Sequence, residues 1–240
     1  MINRKNAFTL AEVLITLGII GVVAALTIPT LMQKTEERET VSKLKKEYTI
    51  LTNAYNLSKN DNGDASNWGT WDDDNNGSEI VLENFIPYFN VLKNCGITES
   101  GCFATSYKQL SGGIDPDYYN LDNKYGARVV LADGTAIVFD VSNSSSTISA
   151  HNSRVAFIVV DINGQKKPNK LGVDTFVFTL YLDKIIPTGI QNDDSFTFAN
   201  SCADSKTATG RGCTAWVLQN ENMDYMHCTG LSWGGKTKCD

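Results

Sequence analysis

The sequence predicts an α+β protein: a long N-terminal helix, first hydrophobic and then amphipathic, packed on a small antiparallel sheet, with a disulfide-bonded C-terminal region. Three observations predict this class. No charged residue occurs from Val13 to Gln33, and apolar side chains then recur every three or four residues. Runs rich in β-branched and aromatic residues farther on predict strands. Six cysteines, all after residue 94, indicate disulfide bonds in an exported domain.

The helix is expected to begin near Phe8 and to end in the polar segment Asn60–Asp64. Its first part, residues 8–33, has an apolar stretch of about 20 residues, which is long enough to span a bilayer core. Pro29 lacks a backbone donor, so it should kink or loosen the helix without ending it. The second part, residues 34–60, is predicted to be an amphipathic continuation.

Each face of this continuation has a distinct composition. The predicted apolar face consists of Val41, Leu44, Tyr48, Leu51 and Tyr55. The predicted polar face includes Lys43, Lys45, Lys46 and Glu47. We therefore expect the second half of the helix to pack its apolar face on a domain.

Residues 61–240 are predicted to form an exported globular domain. A short amphipathic helix is expected from Ser78 to Leu92. Residues 127–131 and 135–141 predict a hairpin, because Asp133-Gly134 between them supplies the positive backbone angles of a tight turn. Strands at 155–160 and 175–182 would complete a sheet of about four strands. The tail from residue 201 to 240 is expected to be irregular and held by disulfides.

The six cysteines leave many pairings open, although short loops close at the lowest entropic cost. Sequence proximity favours three bonds: Cys95 with Cys102, Cys202 with Cys213, and Cys228 with Cys239.

The charged residues of the chain limit its possible partners and favour one orientation in a membrane. The formal net charge of −6 argues against nucleic acid as a general partner. Arg4 and Lys5 favour a cytoplasmic N terminus and export of the long C-terminal part. A carboxylate in the middle of a membrane-spanning helix costs about 2.5 to 3.5 kcal/mol on an insertion scale. Glu12 lies near the start of the apolar run, closer to the end of such a helix. Such a residue requires a partner, a cavity or a route to water.

The N terminus resembles the class III signal of type IV pilins and type II secretion pseudopilins. The matching features are the basic leader with Arg4 and Lys5, the cleavage site between Ala7 and Phe8, Glu12 at the fifth mature position, and Pro29 near the end of the apolar helix. Glycine usually precedes the cut in that family, where this chain has Ala7. The resemblance implies that a prepilin peptidase removes leader residues 1–7 and methylates the new N-terminal Phe8.

The same resemblance implies roles for two residues of the helix. In the family, the glutamate corresponding to Glu12 meets the N-terminal amine of a neighbouring subunit during assembly, and the helix near the proline loosens in the filament. Residues 8–33 would then span the inner membrane once, with the N terminus cytoplasmic and the C-terminal domain periplasmic or extracellular. Implied partners are the peptidase, other pilin or pseudopilin subunits and an inner-membrane assembly platform.

The resulting expectation is a structural subunit, not an enzyme, of a type IV pilus or a type II secretion filament. The alternative is a secreted disulfide-rich binding or enzymatic domain behind a conventional signal peptide. The small residues Val23-Ala24-Ala25 before Leu26 would suit that kind of cleavage.

The only cofactor considered is a calcium ion, since some pseudopilins bind one in the sheet region. Asp161, Asn163 and Asp174 offer oxygen ligands. Their spacing is not that of an EF-hand, because Lys166 stands where that loop needs glycine. The alternative is a turn in which the Asp and Asn side chains bond to their own backbone.

Overall fold

The computed structural model describes residues 9–68, 77–97, 101–115, 126–141, 154–193 and 195–240. The chain divides into two compact units, Met1–Glu39 and Thr40–Asp240. The α+β class predicted from the sequence is confirmed: a long N-terminal helix, an antiparallel sheet and a disulfide-bonded C-terminal region are all present.

The first helix, α1 (Leu10–Asn62), has 53 residues and continues through Pro29. It ends where the polar segment predicts, because Gly63 takes a positive φ of 80° and donates its backbone N–H to the Lys59 carbonyl at 2.9 Å. The second unit contains α1 from residue 40 onward. There Tyr48 stacks on Phe178, with ring centroids 5.6 Å apart, and Tyr55 Oη donates to the Leu182 carbonyl at 2.9 Å.

The sheet has six strands among the described residues, in the order of the chain and antiparallel throughout. Its strands are β1 (Val91–Gly96), β2 (Gly126–Leu131), β3 (Ala136–Asp140), β4 (Arg154–Asp161), β5 (Thr175–Tyr181) and β6 (Ile185–Pro187). The four central strands are those that the sequence predicts. The prediction of about four strands was too low, because both edge strands were missed.

Each missed strand has a local cause. The predicted helix at 78–92 ends early: α2 covers Gly77–Phe85, a 3₁₀ turn covers Ile86–Tyr88, and β1 follows. Pro87 cannot donate a helical hydrogen bond, so it ends the periodic segment. Strand β6 has only three residues, which is too short for an alternating pattern.

Both faces of the sheet are covered. One face carries Val129, Ile137, Phe139, Ile158 and Phe178, which belong to the core shared with α1 and α2. The opposite face carries Val138, Val159 and Val177, which pack with Phe103, Tyr107 and Leu171 in a second cluster. Strands that are buried on both faces read as continuous apolar runs, which explains the weak alternation in the central strands.

The C-terminal region is more regular than expected. It contains α3 (Phe198–Ser201) and α4 (Thr214–Asn220), where the sequence predicted an irregular tail from residue 201. Trp216 of α4 is fully buried and stacks on Phe198 with ring centroids 3.9 Å apart. The disulfides are Cys95–Cys102, Cys202–Cys213 and Cys228–Cys239, the three pairs that sequence proximity favours. The last two bonds and the aromatic stack lie in the C-terminal region and link its short helices and loops.

Candidate functional site

The apolar part of α1 presents its side chains outward around the whole helix. Leu10 is 78% exposed, Leu26 73% and Leu31 63%. By length and composition this helix can cross a membrane. A Cβ added to Gly18 or Gly21 would meet no atom within 4 Å, so the helix presents two open small-residue positions. Such positions allow close approach of another helix in lipid.

Glu12 forms a capping box with Thr9 at the start of α1. The Thr9 backbone N–H and Oγ1 both donate to Glu12 Oε2 at 2.8 Å, and the Glu12 backbone N–H donates to Thr9 Oγ1 at 3.2 Å. This exchange satisfies N–H groups that a helix start leaves without intrahelical partners. The Thr9 side chain therefore fixes the position of the carboxylate within the first turn.

Threonines on both sides of Pro29 bond back to the helix. Thr27 Oγ1 donates to the Val23 carbonyl at 2.9 Å, and Thr30 Oγ1 donates to the Leu26 carbonyl at 3.3 Å. Proline removes the hydrogen bond that the carbonyl four residues earlier would accept. Threonine back-bonding of this kind favours bending of a helix. Pro29 interrupts the backbone hydrogen-bond ladder of α1 at one position, and the helix continues through it.

The predicted cleavage residues Ala7 and Phe8 lie outside the described residues. Thr9 and Glu12, which immediately follow them, are the nearest described part of the signal.

The predicted calcium ligands are brought together at the connection between β4 and β5. Tyr107 Oη donates to Asp161 Oδ2 at 2.6 Å, and Asn163 Nδ2 donates to Asp174 Oδ2 at 3.2 Å. The Lys170 backbone N–H donates to Asp174 Oδ1 at 2.6 Å. Burial raises the pKa of Asp161 to about 8, against the opposing effect of the Tyr107 hydrogen bond.

All four carboxylate oxygens of Asp161 and Asp174 accept hydrogen bonds from protein groups. Three of the donors are backbone N–H groups, those of Asn163, Asn169 and Lys170, which is the kind of bond that the turn alternative predicts. The side chains of Tyr107 and Asn163 donate as well. The side-chain oxygens of Asn163 and Asn169 are buried and accept none among the described residues. Within the described ranges, no three His, Cys, Asp or Glu residues form a metal-binding group. A calcium ion would find oxygen ligands here, but it would compete with the donors already present.

Glu47 was predicted on the polar face of the helix, and this prediction is wrong. Its side chain is buried against the turn between β2 and β3, beside Asp133 and Thr135. Burial, together with the charge of Asp133, raises the pKa of Glu47 to about 7. Although burial opposes the change, hydrogen bonds from Lys46 and Thr135 lower the pKa of Asp133 to about 2. The sequence signal was the three-residue spacing from Leu44, which places Glu47 on the buried side of α1.

Comparison with known families bears on both parts of the chain. Residues 2–28 match the model described as the prokaryotic N-terminal methylation motif, so the chain carries the signal of type IV pilin-like proteins. Such a signal indicates a substrate of a prepilin peptidase and a structural subunit that assembles with other pilin subunits.

Most of the remainder belongs to one further family. Residues 30–204 match the model described as the family of unknown function DUF6613, so the chain is a member of that family. No curated protein and no solved structure shows significant similarity to the chain. The two matched segments lie on either side of Pro29.

Proposed function

We propose that the protein is a pilin or pseudopilin that forms part of a type IV pilus or a type II secretion filament. The observation that carries the proposal is α1 itself. An outward-facing apolar segment with a capped carboxylate at its head continues, in one helix, into residues that are buried in the globular unit. Residues 1–7 are the leader, 8–33 the membrane and filament-core segment, 34–60 its continuation, and 61–240 the exported domain.

Before assembly, the apolar segment spans the inner membrane once with the N terminus in the cytoplasm. Prepilin peptidase cuts before Phe8 and methylates the new N terminus, and an inner-membrane platform receives the processed subunit. This orientation is supported by the basic leader, because positive residues are retained on the cytoplasmic side.

Glu12 is the assembly residue in this proposal. Cleavage creates a positive α-amino group on Phe8, and the Glu12 carboxylate of a neighbouring subunit pairs with that amine. Removal of one partner from a buried ion pair costs about 3 to 5 kcal/mol, because the other charge is left uncompensated. Thr9 supports the pairing by holding the carboxylate in one place.

The first experiment determines the mature N terminus by intact mass and N-terminal sequencing of membrane-extracted protein. We expect an N-methylated Phe8. A start at Leu26 would establish the conventional signal peptide and overturn the proposal. That cut would leave exposed apolar residues such as Leu31 and Met32 near the start of a secreted protein.

The second experiment concerns assembly. Glu12→Ala should insert into the membrane as the wild type does, but fail to enter filaments. Glu36→Ala, which removes an exposed acid from the same helix beyond the apolar run, is the matched control. Shear fractionation and crosslinking report assembly. Normal incorporation of the Glu12 variant would contradict the pairing.

A further inference from the structure

Four lysines lie together at the connection between β4 and β5. Lys166, Lys167 and Lys170 belong to this connection, and Lys108 is hydrogen-bonded to it through its backbone. The Lys108 N–H donates to the Asn169 carbonyl, and the Lys108 carbonyl accepts from the Leu171 N–H, each at 2.9 Å. Two consecutive N–H groups of the connection also donate to Asp174. No described acid forms a salt bridge with these four lysines.

The same end of the globular unit holds lysines of α1. Gly164 lies against Gly134, where a Cβ would be 2.6 Å from the carbonyl oxygen, so the connection adjoins the β2–β3 turn. Lys46 pairs with Asp133 of that turn. Lys45 pairs with Glu221 at 2.6 Å, and Lys45 and then Lys238 lower the pKa of Glu221. We call this surface the basic end; its lysines are Lys43, Lys45, Lys46, Lys108, Lys166, Lys167, Lys170 and Lys238.

The globular unit as a whole is acidic, since residues 40–240 contain 17 basic and 23 acidic side chains. The described acids that pair with lysines of the basic end, or lie in the turns beside them, are Glu47, Asp133, Asp161, Asp174 and Glu221. The eight lysines outnumber these five acids, so this group of side chains carries net positive charge. An anionic surface attracts such a group even when the unit as a whole is acidic.

We propose that the basic end docks on anionic phospholipid headgroups before the subunit enters a filament. The inference rests on the proposed membrane-spanning role of α1. Lys43 is nine residues beyond Lys34, the first charge after the apolar run. Nine residues reach at most about 30 Å even when fully extended, so Lys43 stays within that distance of the chain segment at the headgroups. Flexible ammonium groups suit a surface of mobile phosphates better than a single fixed ligand.

The test measures lysine acylation by mass spectrometry on the full chain in nanodiscs. Discs contain either neutral phosphatidylcholine or anionic phosphatidylglycerol. Lys184, in the β5–β6 turn at the opposite end of β5, is an exposed internal reference. We expect the labelling rates of Lys166 and Lys167, relative to Lys184, to fall about fivefold or more in anionic discs. High salt should reverse the protection, because it shortens the range of charge attraction.

A triple variant gives the second measurement. Lys166→Gln, Lys167→Gln and Lys170→Gln together should remove the protection of Lys108, whereas Lys184→Gln should leave it unchanged. Equal labelling in both discs would overturn the proposal. Protection that is the same in neutral discs and grows with the number of chains per disc would also overturn it, by assigning the basic end to contact between subunits. Neither result would change the mature N terminus, which is determined in a separate experiment. The failure of this inference is therefore distinguishable from the failure of the proposed function.

Discussion

Glu47→Gln should remove a pH dependence from the stability of the globular unit. In the folded protein the pKa of Glu47 is raised to about 7, while the ordinary pKa of an exposed glutamate is 4.5. The folded state therefore holds a proton that the unfolded state releases between these pH values. The contribution of Glu47 to the free energy of unfolding is fully present below about pH 4.5 and is lost as the pH rises through about 7. Glutamine resembles the protonated acid and can still donate to Asp133.

The size of the effect follows from the pKa difference. The two values differ by about 2.5 units, which corresponds to about 3 kcal/mol at 1.36 kcal/mol per unit. Lys46 and solvent near the hairpin turn screen part of this energy, so we expect about 2 kcal/mol. The variant should match the wild type near pH 4.5 and exceed its free energy of unfolding by about that amount at pH 8.

The assay is urea unfolding of the full chain in detergent micelles, followed by tryptophan fluorescence at several pH values. Glu83→Gln removes an exposed acid of α2 and is the matched control. A difference between wild type and Glu47→Gln that stays constant from pH 5 to pH 8 would refute the reasoning. A wild type that gains stability over this range relative to Glu47→Gln would refute it as well.

Two further predictions concern the β4–β5 connection and the C-terminal region. Chelation of divalent cations should leave the thermal midpoint unchanged, because protein donors already occupy the oxygens of Asp161 and Asp174; a midpoint that rises with added calcium would favour a calcium site. Gly189→Ala should cost about 3 kcal/mol or more, since φ is 98° and the new Cβ would overlap the Gly212 carbonyl oxygen. Gly230→Ala, which has a positive φ but open space, should cost only about 1 kcal/mol, and equal losses in thermal unfolding would contradict the predicted clash.

The helix and the central strands were predictable because each has a strong local signal. The period of Val41, Leu44 and Leu51 marks a helix face, and the Asp133-Gly134 turn fixes a hairpin. The edge strands were not predictable for the opposite reason. The helix predicted at 78–92 extended past Pro87 into the first residues of β1, and the three residues of β6 are too few to show an alternating pattern.

The residues of the candidate site also differ in the strength of their local sequence signal. Glu12 was found because a single carboxylate stands out at the head of an apolar run. Glu47 was misplaced because it follows two lysines in the sequence, although its three-residue spacing from Leu44 is that of the buried face; its burial against the β2–β3 turn follows from the packing of α1. The basic end brings together lysines from four separate segments, so no local pattern could have revealed it. Contacts between distant segments are fixed by the tertiary fold alone.

The continuity of α1 has a mechanical consequence. Within the globular unit, α1 is held by the packing of its buried residues between Val41 and Tyr55, and a pull on the helix is resisted by these contacts. Every disulfide closes a short local loop, of 7 or 11 residues in sequence separation, and none ties the helix to the sheet. Separation of α1 from the sheet under tension would therefore break non-covalent contacts and no disulfide.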